Sequence, residues 1–447
     1  MFQSKNKVVY LLSIVSSLHH HHHAFLTSFP TRQQFSPTAI SQTLYDSKIN
    51  RDKFIRNNDK NVRLESQQDP SLSTITNKDQ VFDKIKEVRE IQNLVQTATL
   101  YKRSWIHTNG NNIRETKNKS SDDTNSHNFT VLQFNTLAEG LASSPQAHPP
   151  FQSKDDSNDI NDSQDTGYGG FTEVPNPNIC LDFNLRRWRL VEVILGGGIF
   201  MDNQFDIIGL EEVDRYYGFF QPIMTLFEYD SLFYPKPNSP GSKNGWFSDG
   251  CALFWKRDVF DLIQNETRKY QVGSQIYIVV VLRHKQSSRD IIVAVTHLKA
   301  KQNDDNEQIR TQQVIEVVNY LSDIRRKVAT ENDLSVDDIP VILMGDFNAD
   351  PDGDGRTCIK SVLSQELQLN SAYNLETDFF TTWKTRGDKT VRRIIDYIFH
   401  TNAKGFECSK TLSIPDNEEI ESSKLPGFRF PSDHMSIGAE FVIRKPK

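Results

Sequence analysis

The sequence predicts a sandwich of mixed, α/β or α+β, type. Short apolar runs bounded by turn residues recur many times after residue 127, as buried strands require. Between several of them lie segments with apolar residues at three- and four-residue steps, the period of a helix that packs on one side. The polar residues able to do chemistry fall at strand ends, where open sheets place their sites.

At 447 residues the chain can form one large domain or two small ones. A net charge of −6 and a pI near 6.1 argue against a generic nucleic-acid coat, while leaving room for a local basic patch. Cys180, Cys251, Cys358 and Cys408 lie far apart and form no C-x-x-C pair. They indicate neither a zinc knuckle nor a disulfide framework, and read as buried or free thiols.

Residues 1–45 read as a targeting presequence. Lys5 and Lys7 precede an apolar run over 8–18, which suits a signal core and is too short for a stable membrane span. His19 to His23 follow, read as low complexity within the presequence, with a metal-binding tract or a tag as alternatives. The first acidic residue is Asp46, and 26–45 is rich in Ser, Thr and Gln. Hydroxyl-rich, acid-poor sequence behind a signal core resembles the bipartite presequences of complex plastids. Plastid delivery is the expectation, with the secretory pathway and the mitochondrion as alternatives.

Residues 46–126 are polar and expected to be mostly disordered. One amphipathic helix interrupts them near 79–100, with Phe82, Ile85, Val88, Ile91, Leu94 and Val95 on its apolar face. It is expected to pack on the main domain; a partner-binding arm is the alternative. Residues 107–126 read as a linker.

The main domain is expected over 127–447. A strand over 129–134 ends at Asn135, and a flexible polar insertion follows over 143–172. A helix over 183–195 is closed by Gly196 to Gly198; three glycines that close a helix are not a nucleotide loop. A strand over 206–210 leads to Glu211 and Glu212, and a helix lies near 216–227. Strands near 231–234, 251–255, 275–282 and 291–296 follow, the last ending at His297. A long helix over 306–327 leads to a strand at 341, which runs into Gly345-Asp346-Phe347-Asn348. Strands near 381–383, 394–399 and 436–443 complete the chain.

Six polar signals therefore share strand ends: Asn135, Glu212, His297, Asp346 with Asn348, Asp396, and Asp433 with His434. Each alone has a plainer reading. Asp346-x-Asn348 suits an Asx turn, Glu212 a surface carboxylate, His297 a hydrogen-bonded core histidine, and Ser432-Asp433 a helix cap. Asp396, between Ile395 and Tyr397, is harder to explain so, because a carboxylate in a buried strand needs a partner.

The ordered set Asn135, Leu-Glu-Glu-Val-Asp (210–214), Asp-Gly-Cys-Ala-Leu-Phe (249–254), Thr-His-Leu-Lys-Ala (296–300), Gly-Asp-Phe-Asn-Ala (345–349), Thr-Thr-Trp-Lys (381–384), Asp-Tyr-Ile (396–398) and Pro-Ser-Asp-His (431–434) resembles the endonuclease/exonuclease/phosphatase superfamily. Phe-Tyr-Pro-Lys-Pro (233–237), Val-Thr-His-Leu-Lys-Ala-Lys (295–301) and Phe-Pro-Ser-Asp-His (430–434) resemble its nocturnin-like branch. The resemblance runs from about 127 to the C-terminus. It implies a two-sheet α/β sandwich of the DNase I-like type. It implies Glu212 as the principal Mg²⁺ ligand, with Mn²⁺ as an alternative ion, and Asn135 beside it. Asp346 would be the base on the attacking water and Asn348 would position the phosphate. His297 and His434 would donate to phosphoryl oxygens, Asp396 would orient His434, and Asp433 would stand behind them near the metal.

The resemblance further implies removal of the 2′-phosphate of NADP⁺ or NADPH. Lys236, Lys299, Lys301 and Arg386 stand beside these motifs and match a compact cationic cluster suited to a multiply charged dinucleotide. Lys301 stands where an arginine is expected, keeping the charge without the planar fork. The alternative partner is RNA, for a poly(A)-specific 3′ exonuclease of the same fold, with Trp383 and Phe247 as stacking platforms. A phosphate-binding module without catalysis is the reading from a different class.

Overall fold

Two rows of side chains alternate along each strand, and in the central strands of this chain both rows are apolar. In the computed structural model, which describes residues 69–108, 126–143, 168–199, 204–353 and 355–445, that is the signature of sheets covered on both faces. The first sheet contains β1 (Trp105–His107), β2 (Ser126–Asn135), β3 (Ile207–Val213), β4 (Tyr229–Pro235), β5 (Gly250–Lys256), β14 (Phe406–Leu412) and β15 (Ile437–Arg444), in the order β1-β14-β15-β2-β3-β5-β4. The second contains β6 (Phe260–Lys269), β7 (Ile276–His284), β8 (Arg289–His297), β9 (Val341–Asp346), β10 (Leu369–Ser371) and β13 (Asp396–Thr401), in the order β10-β13-β9-β8-β7-β6. A separate ribbon pairs β11 (Thr382–Arg386) with β12 (Lys389–Arg393).

Phe129, Val131, Ile207, Leu253, Val280, Val293, Val295, Ile342, Met344, Ile398, Ile437 and Phe441 meet between the sheets in one buried cluster. Gly209 sits in that layer because a Cβ there would lie 2.8 Å from the Met344 sulfur. The outer face of the first sheet is covered by α1 (Lys78–Asn93) and α2 (Phe183–Ile194). The outer face of the second is covered by α3 (Asp304–Glu331) and α4 (Arg356–Ser364). The layers are therefore helix, sheet, sheet, helix, the α/β sandwich expected from the sequence. Among the described residues no helix is long and apolar enough to cross a membrane.

The folded unit starts earlier than the sequence pattern suggested. Residues 65–447 form one compact unit, and its first described residue is Asp69, not His127. The remaining unit, Met1–Leu64, lies outside the described residues. So do the presequence, the histidine run, the tract over 46–68, residues 109–125 of the linker and residues 144–167 of the insertion. The helix near 79–100 forms as α1, capped by Asn77, whose side chain accepts from the Gln80 N–H (3.0 Å), and it ends at Asn93. Val81, Ile85 and Val88 are buried with Trp188 and Val191 of α2 in one cluster. Phe82 and Leu94 stay exposed, so the buried stripe is narrower than the apolar pattern. Trp105–His107, which runs into the first residue of the expected linker, is an edge strand on β14. It was missed because three residues are too few for an alternation signal.

Truncating Ile85, 5% exposed, should test this boundary. Ile85→Ala is expected to lower stability by about 2–4 kcal/mol, read as a shift of the urea midpoint. A chain starting at residue 127 should unfold at a lower temperature than one starting at 65. Equal melting of the two would show that α1 is not part of the domain.

Candidate active site

The inner rows of the two sheets turn polar at one end. On β2 the row Phe129-Val131 continues to Gln133 and Asn135; on β3, Ile207-Gly209 continues to Glu211. On β8, Val293-Val295 continues to His297; on β9, Ile342-Met344 continues to Asp346; on the antiparallel β13 the row starts at Asp396 and continues to Ile398. Register aligns these ends: Asp346 lies opposite both Asp396 and His297, and Asn135 opposite Glu211. Gly345 permits the approach, because at φ +151° a Cβ would meet the Thr296 carbonyl oxygen at 1.9 Å.

Asp346 is the meeting point. Its Oδ1 accepts the Asn348 N–H (2.8 Å), which makes the stretch an Asx turn as well as part of the site. Asn348 is left-handed (φ 52°), so its side chain is not carried to the Asp346 side by strand alternation. Its Nδ2 donates to the Leu298 carbonyl (3.2 Å). The Oδ2 of Asp346 accepts from Asn135 Nδ2 (3.0 Å) and lies 3.5 Å from His297 Nε2 and 3.9 Å from His434 Nε2. A proton acceptor thus faces an amide and two imidazoles.

The two histidines stand in opposite electrostatic settings. His434 Nδ1 donates to Asp396 Oδ2 (2.9 Å). Burial works against the His434 charge, but Asp396, aided by Asp433 and Asp346 and opposed by Lys384, pushes its pKa up to about 9. His297 Nδ1 lies 3.0 Å from Lys236 Nζ. An ammonium can only donate, so Nδ1 accepts, and the ring is a neutral imidazole with its hydrogen on Nε2, toward Asp346. Burial and Lys236 together lower the His297 pKa to about 4. Lys236 is also 2.7 Å from Asp249. Burial disfavours both charges, yet each holds the other ionised, with the Lys236 pKa raised and the Asp249 pKa lowered.

Asp433 is buried under two cations, 2.5 Å from Lys384 Nζ and 3.3 Å from Arg386 Nη2. Burial raises its pKa, but Lys384, His434 and Arg386 outweigh that and hold it well below the usual carboxylate range. No helix follows Ser432-Asp433, so the capping reading fails; Ser432 Oγ donates instead to the Asn135 carbonyl (2.6 Å). Lys299 and Lys301 extend from the segment after His297. No ion pair reaches either ammonium among the described residues.

Several residues here escaped sequence reasoning. Gln133 Nε2 donates to Glu211 Oε2 (2.7 Å) and Asp396 Oδ1 (3.0 Å). Glu211 is fully buried; burial, and then Asp396 and Asp346, push its pKa well above the usual carboxylate range. Strand parity was the available signal for both. Lys384 lies 3.5 Å from His434 Nε2. Buried Arg186 donates to the carbonyls of Thr136 (2.9 Å), Leu137 (2.7 Å) and Pro431 (3.3 Å), joining the loops on either side of the site. A charged residue inside α2 gave no sequence sign of that task.

Glu212 stands beside this cluster rather than in it. Ligand atoms of Asp346, Asp396 and His434 come within 4.8 Å of one another, but His434 spends Nδ1 on Asp396 and carries a proton, so that trio suits acid–base work better than metal binding. At Glu212 the β3–β5 register shifts and φ is 55°, a bulge that re-aims the side chain. One of its oxygens accepts the Ala138 N–H (3.2 Å), and the other takes no hydrogen bond among the described residues. A half-buried carboxylate with one open oxygen fits a hard cation that keeps most of its waters.

The histidine assignment is measurable by NMR titration of the ring protons. His434 is expected to titrate near 9 and His297 near 4, on either side of the ordinary 6.5. Asp396→Asn removes the charge that raises His434 and should bring its pKa down toward the ordinary value. An unchanged titration in that variant would refute the pairing.

Residues 178–434 match the endonuclease/exonuclease/phosphatase family. The chain is 32% identical to nocturnin from Mus musculus over 297 residues, covering 63% of this chain and 64% of that one. It is 30% identical to nocturnin from Xenopus laevis over 331 residues, covering 71% and 73%. It thus spans under two thirds of the mouse relative's length. Among solved structures, the human nocturnin catalytic domain with bound sulfate anion superposes with a TM-score of 0.51 at 27% identity, covering 70% of this chain and 93% of that one. The fold, the matched span and these relatives make the chain a nocturnin-like member of the endonuclease/exonuclease/phosphatase family.

Proposed function

We propose that this protein is a magnesium-dependent phosphatase that removes the 2′-phosphate of NADP⁺ and NADPH, giving NAD⁺ and NADH. One observation carries the choice of substrate: cations converge on the catalytic groups of an otherwise acidic chain. Lys236 touches His297, while Lys384 and Arg386 cover Asp433 beside His434. Lys299 and Lys301 follow His297 without a carboxylate partner among the described residues. Such a cluster suits several phosphate charges held within one small molecule. The rings proposed for stacking RNA bases are already engaged. Lys424 lies 4.4 Å and Arg392 5.5 Å from the Trp383 ring centroid, and Arg215 lies 4.2 Å from that of Phe247.

In this reading the Asp346 Oδ2 accepts a proton from the attacking water. The neutral His297 donates Nε2–H, and the charged His434 its Nε2–H, to phosphoryl oxygens as negative charge rearranges. Asp396 holds His434 by its far nitrogen, and Gln133 holds Asp396. The bond formed joins water oxygen to phosphorus; the bond broken joins phosphorus to the ribose 2′-oxygen, which leaves as the hydroxyl on taking up a proton from solvent. Glu212, with Asn135 proposed beside it, would hold Mg²⁺, which when bound would supply Lewis-acid stabilisation of the phosphoryl charge.

The test incubates the full chain and Mg²⁺ with NADPH and, separately, with oligo(A). Phosphate release without shortening of oligo(A) is expected. Shortening of oligo(A) with NADPH untouched would overturn the substrate, and no turnover of any phosphate ester would leave a binding module. Asp346→Ala should lower kcat by roughly 10²–10⁴-fold with ligand binding kept, and Glu212→Gln should abolish turnover through loss of metal. For the N-terminus we propose plastid delivery. A fusion of residues 1–60 to a fluorescent protein should label plastids, and diffuse cytosolic signal would refute it.

A further inference from the structure

Arg386 sits at the tip of a ribbon that neither large sheet supports. β11 and β12 pair only with each other along their length, and an isolated two-stranded ribbon is marginal in water. Its base is tied to the catalytic segment, where the Met435 N–H donates to the Thr381 carbonyl (2.6 Å) and Thr382 pairs with His434. Its tip is the turn at Gly387 (φ +59°), where Arg386 lies across from Lys389.

Residues 170–173, which follow the described turn at the C-terminal end of the long insertion, close on that tip. The Gly387 N–H donates to the Gly170 carbonyl (2.9 Å). Thr172 Oγ1 donates to the Gly387 carbonyl (2.8 Å). Phe171 and Arg386 form an antiparallel bridge, and Thr385 Oγ1 donates to Glu173 (3.3 Å). The Phe171 ring is buried, and the Arg386 guanidinium carbon lies 4.3 Å from its centroid. On its other flank Arg386 Nη2 reaches Asp433.

We propose that Phe171 is a specificity-determining positioning residue, holding the Arg386 guanidinium ready for a phosphate of the substrate. The inference rests on the reading of Arg386 as a substrate cation. Its physical basis is the way the arginine is held. An aromatic face attracts a guanidinium through the ring quadrupole and uses none of its N–H donors. A second carboxylate in that place would consume two of them in a fork. The ring therefore restrains a long, flexible side chain while leaving its hydrogen-bonding edge for an anion. Because Phe171 touches neither the water nor the bond that breaks, its effect belongs in substrate binding.

Steady-state kinetics of the full chain with NADPH and Mg²⁺ test this. Phe171→Leu is expected to raise KM about tenfold, the range of a partly desolvated cation–π contact, with kcat changed far less. Phe171→Tyr keeps the ring face and should restore KM. Arg386→Ala should raise KM by itself, and adding Phe171→Leu to it should cost nothing more, because the two act as one unit. An unchanged KM in Phe171→Leu, a loss in kcat instead, or full additivity on the Arg386→Ala background would each overturn the proposal. Should Phe171→Leu not fold, Phe171→Met replaces it in the same cycle. If the unaltered chain leaves NADPH intact, the substrate reading fails on its own. The same cycle is then run on inorganic phosphate binding by calorimetry, where weakening by Phe171→Leu only when Arg386 is present still supports the proposal and its absence overturns it.

Discussion

Everything in this molecule depends on the contact between the inner faces of its two sheets. That layer excludes water because alternate residues on both sides are aliphatic or aromatic, from Phe129 and Val131 to Met344 and Ile398. The alternation does not stop where the apolar residues do. Gln133, Asn135, Glu211, His297, Asp346 and Asp396 occupy the next positions of the same rows, and each is under 5% exposed. Polar groups placed there are desolvated by the fold itself, and they are tolerable only as a mutually bonded set. Hence the density of contacts around Asp346, and the use of Asp396 Oδ1 for Gln133 and Oδ2 for His434.

The same desolvation gives two chemically identical side chains different states. His434 lies against a carboxylate and keeps both ring protons; His297 lies against an ammonium and keeps only one. Three carboxyl groups cluster behind them, and at Glu211, fully buried and without a cation, burial and the neighbouring carboxyl groups push the pKa well above the usual range. The site therefore needs no unusual backbone to set its protonation pattern. Its neighbours along the strands do that.

Strand ends and strand parity are local features, and so the core of this arrangement was legible in the sequence. The apolar runs located β2, β3, β5, β7, β8, β9, β13 and β15 to within a few residues, and the strand-end residues Asn135, His297, Asp346, Asp396 and His434 do come together. What the sequence did not disclose is long-range or weakly patterned. β6 carries Asp261, Gln264, Asn265, Glu266, Arg268 and Lys269, and as an edge strand it shows no apolar run. β14 alternates too few apolar residues to stand out, and β1 is too short. Arg186 and Lys384 act on residues roughly 50 positions away, a relation that no spacing rule predicts. The domain boundary at 127 was misplaced for a similar reason: α1 is half polar, and only its pairing with α2 shows that Val81, Ile85 and Val88 belong to the core.

Glu211 and Glu212 show where local and tertiary logic part. Strand parity alone selects Glu211 as the inward residue, and it is inward, buried among Gln133, Asp346 and Asp396. A cation held there would have to shed its waters into a closed layer, which Mg²⁺ resists. Parity sends Glu212 outward, away from any site. The bulge at the end of β3, with Glu212 at φ 55°, cancels that and returns its carboxylate to the rim near Ala138 and Lys236. A left-handed glutamate costs on the order of 1 kcal/mol, and a strand that ended without a bulge would avoid it. The distortion yields two adjacent carboxyl groups in two different media, one dry, one wet and open to a cation. The motif Leu-Glu-Glu-Val-Asp names both residues, but only the backbone bend assigns them.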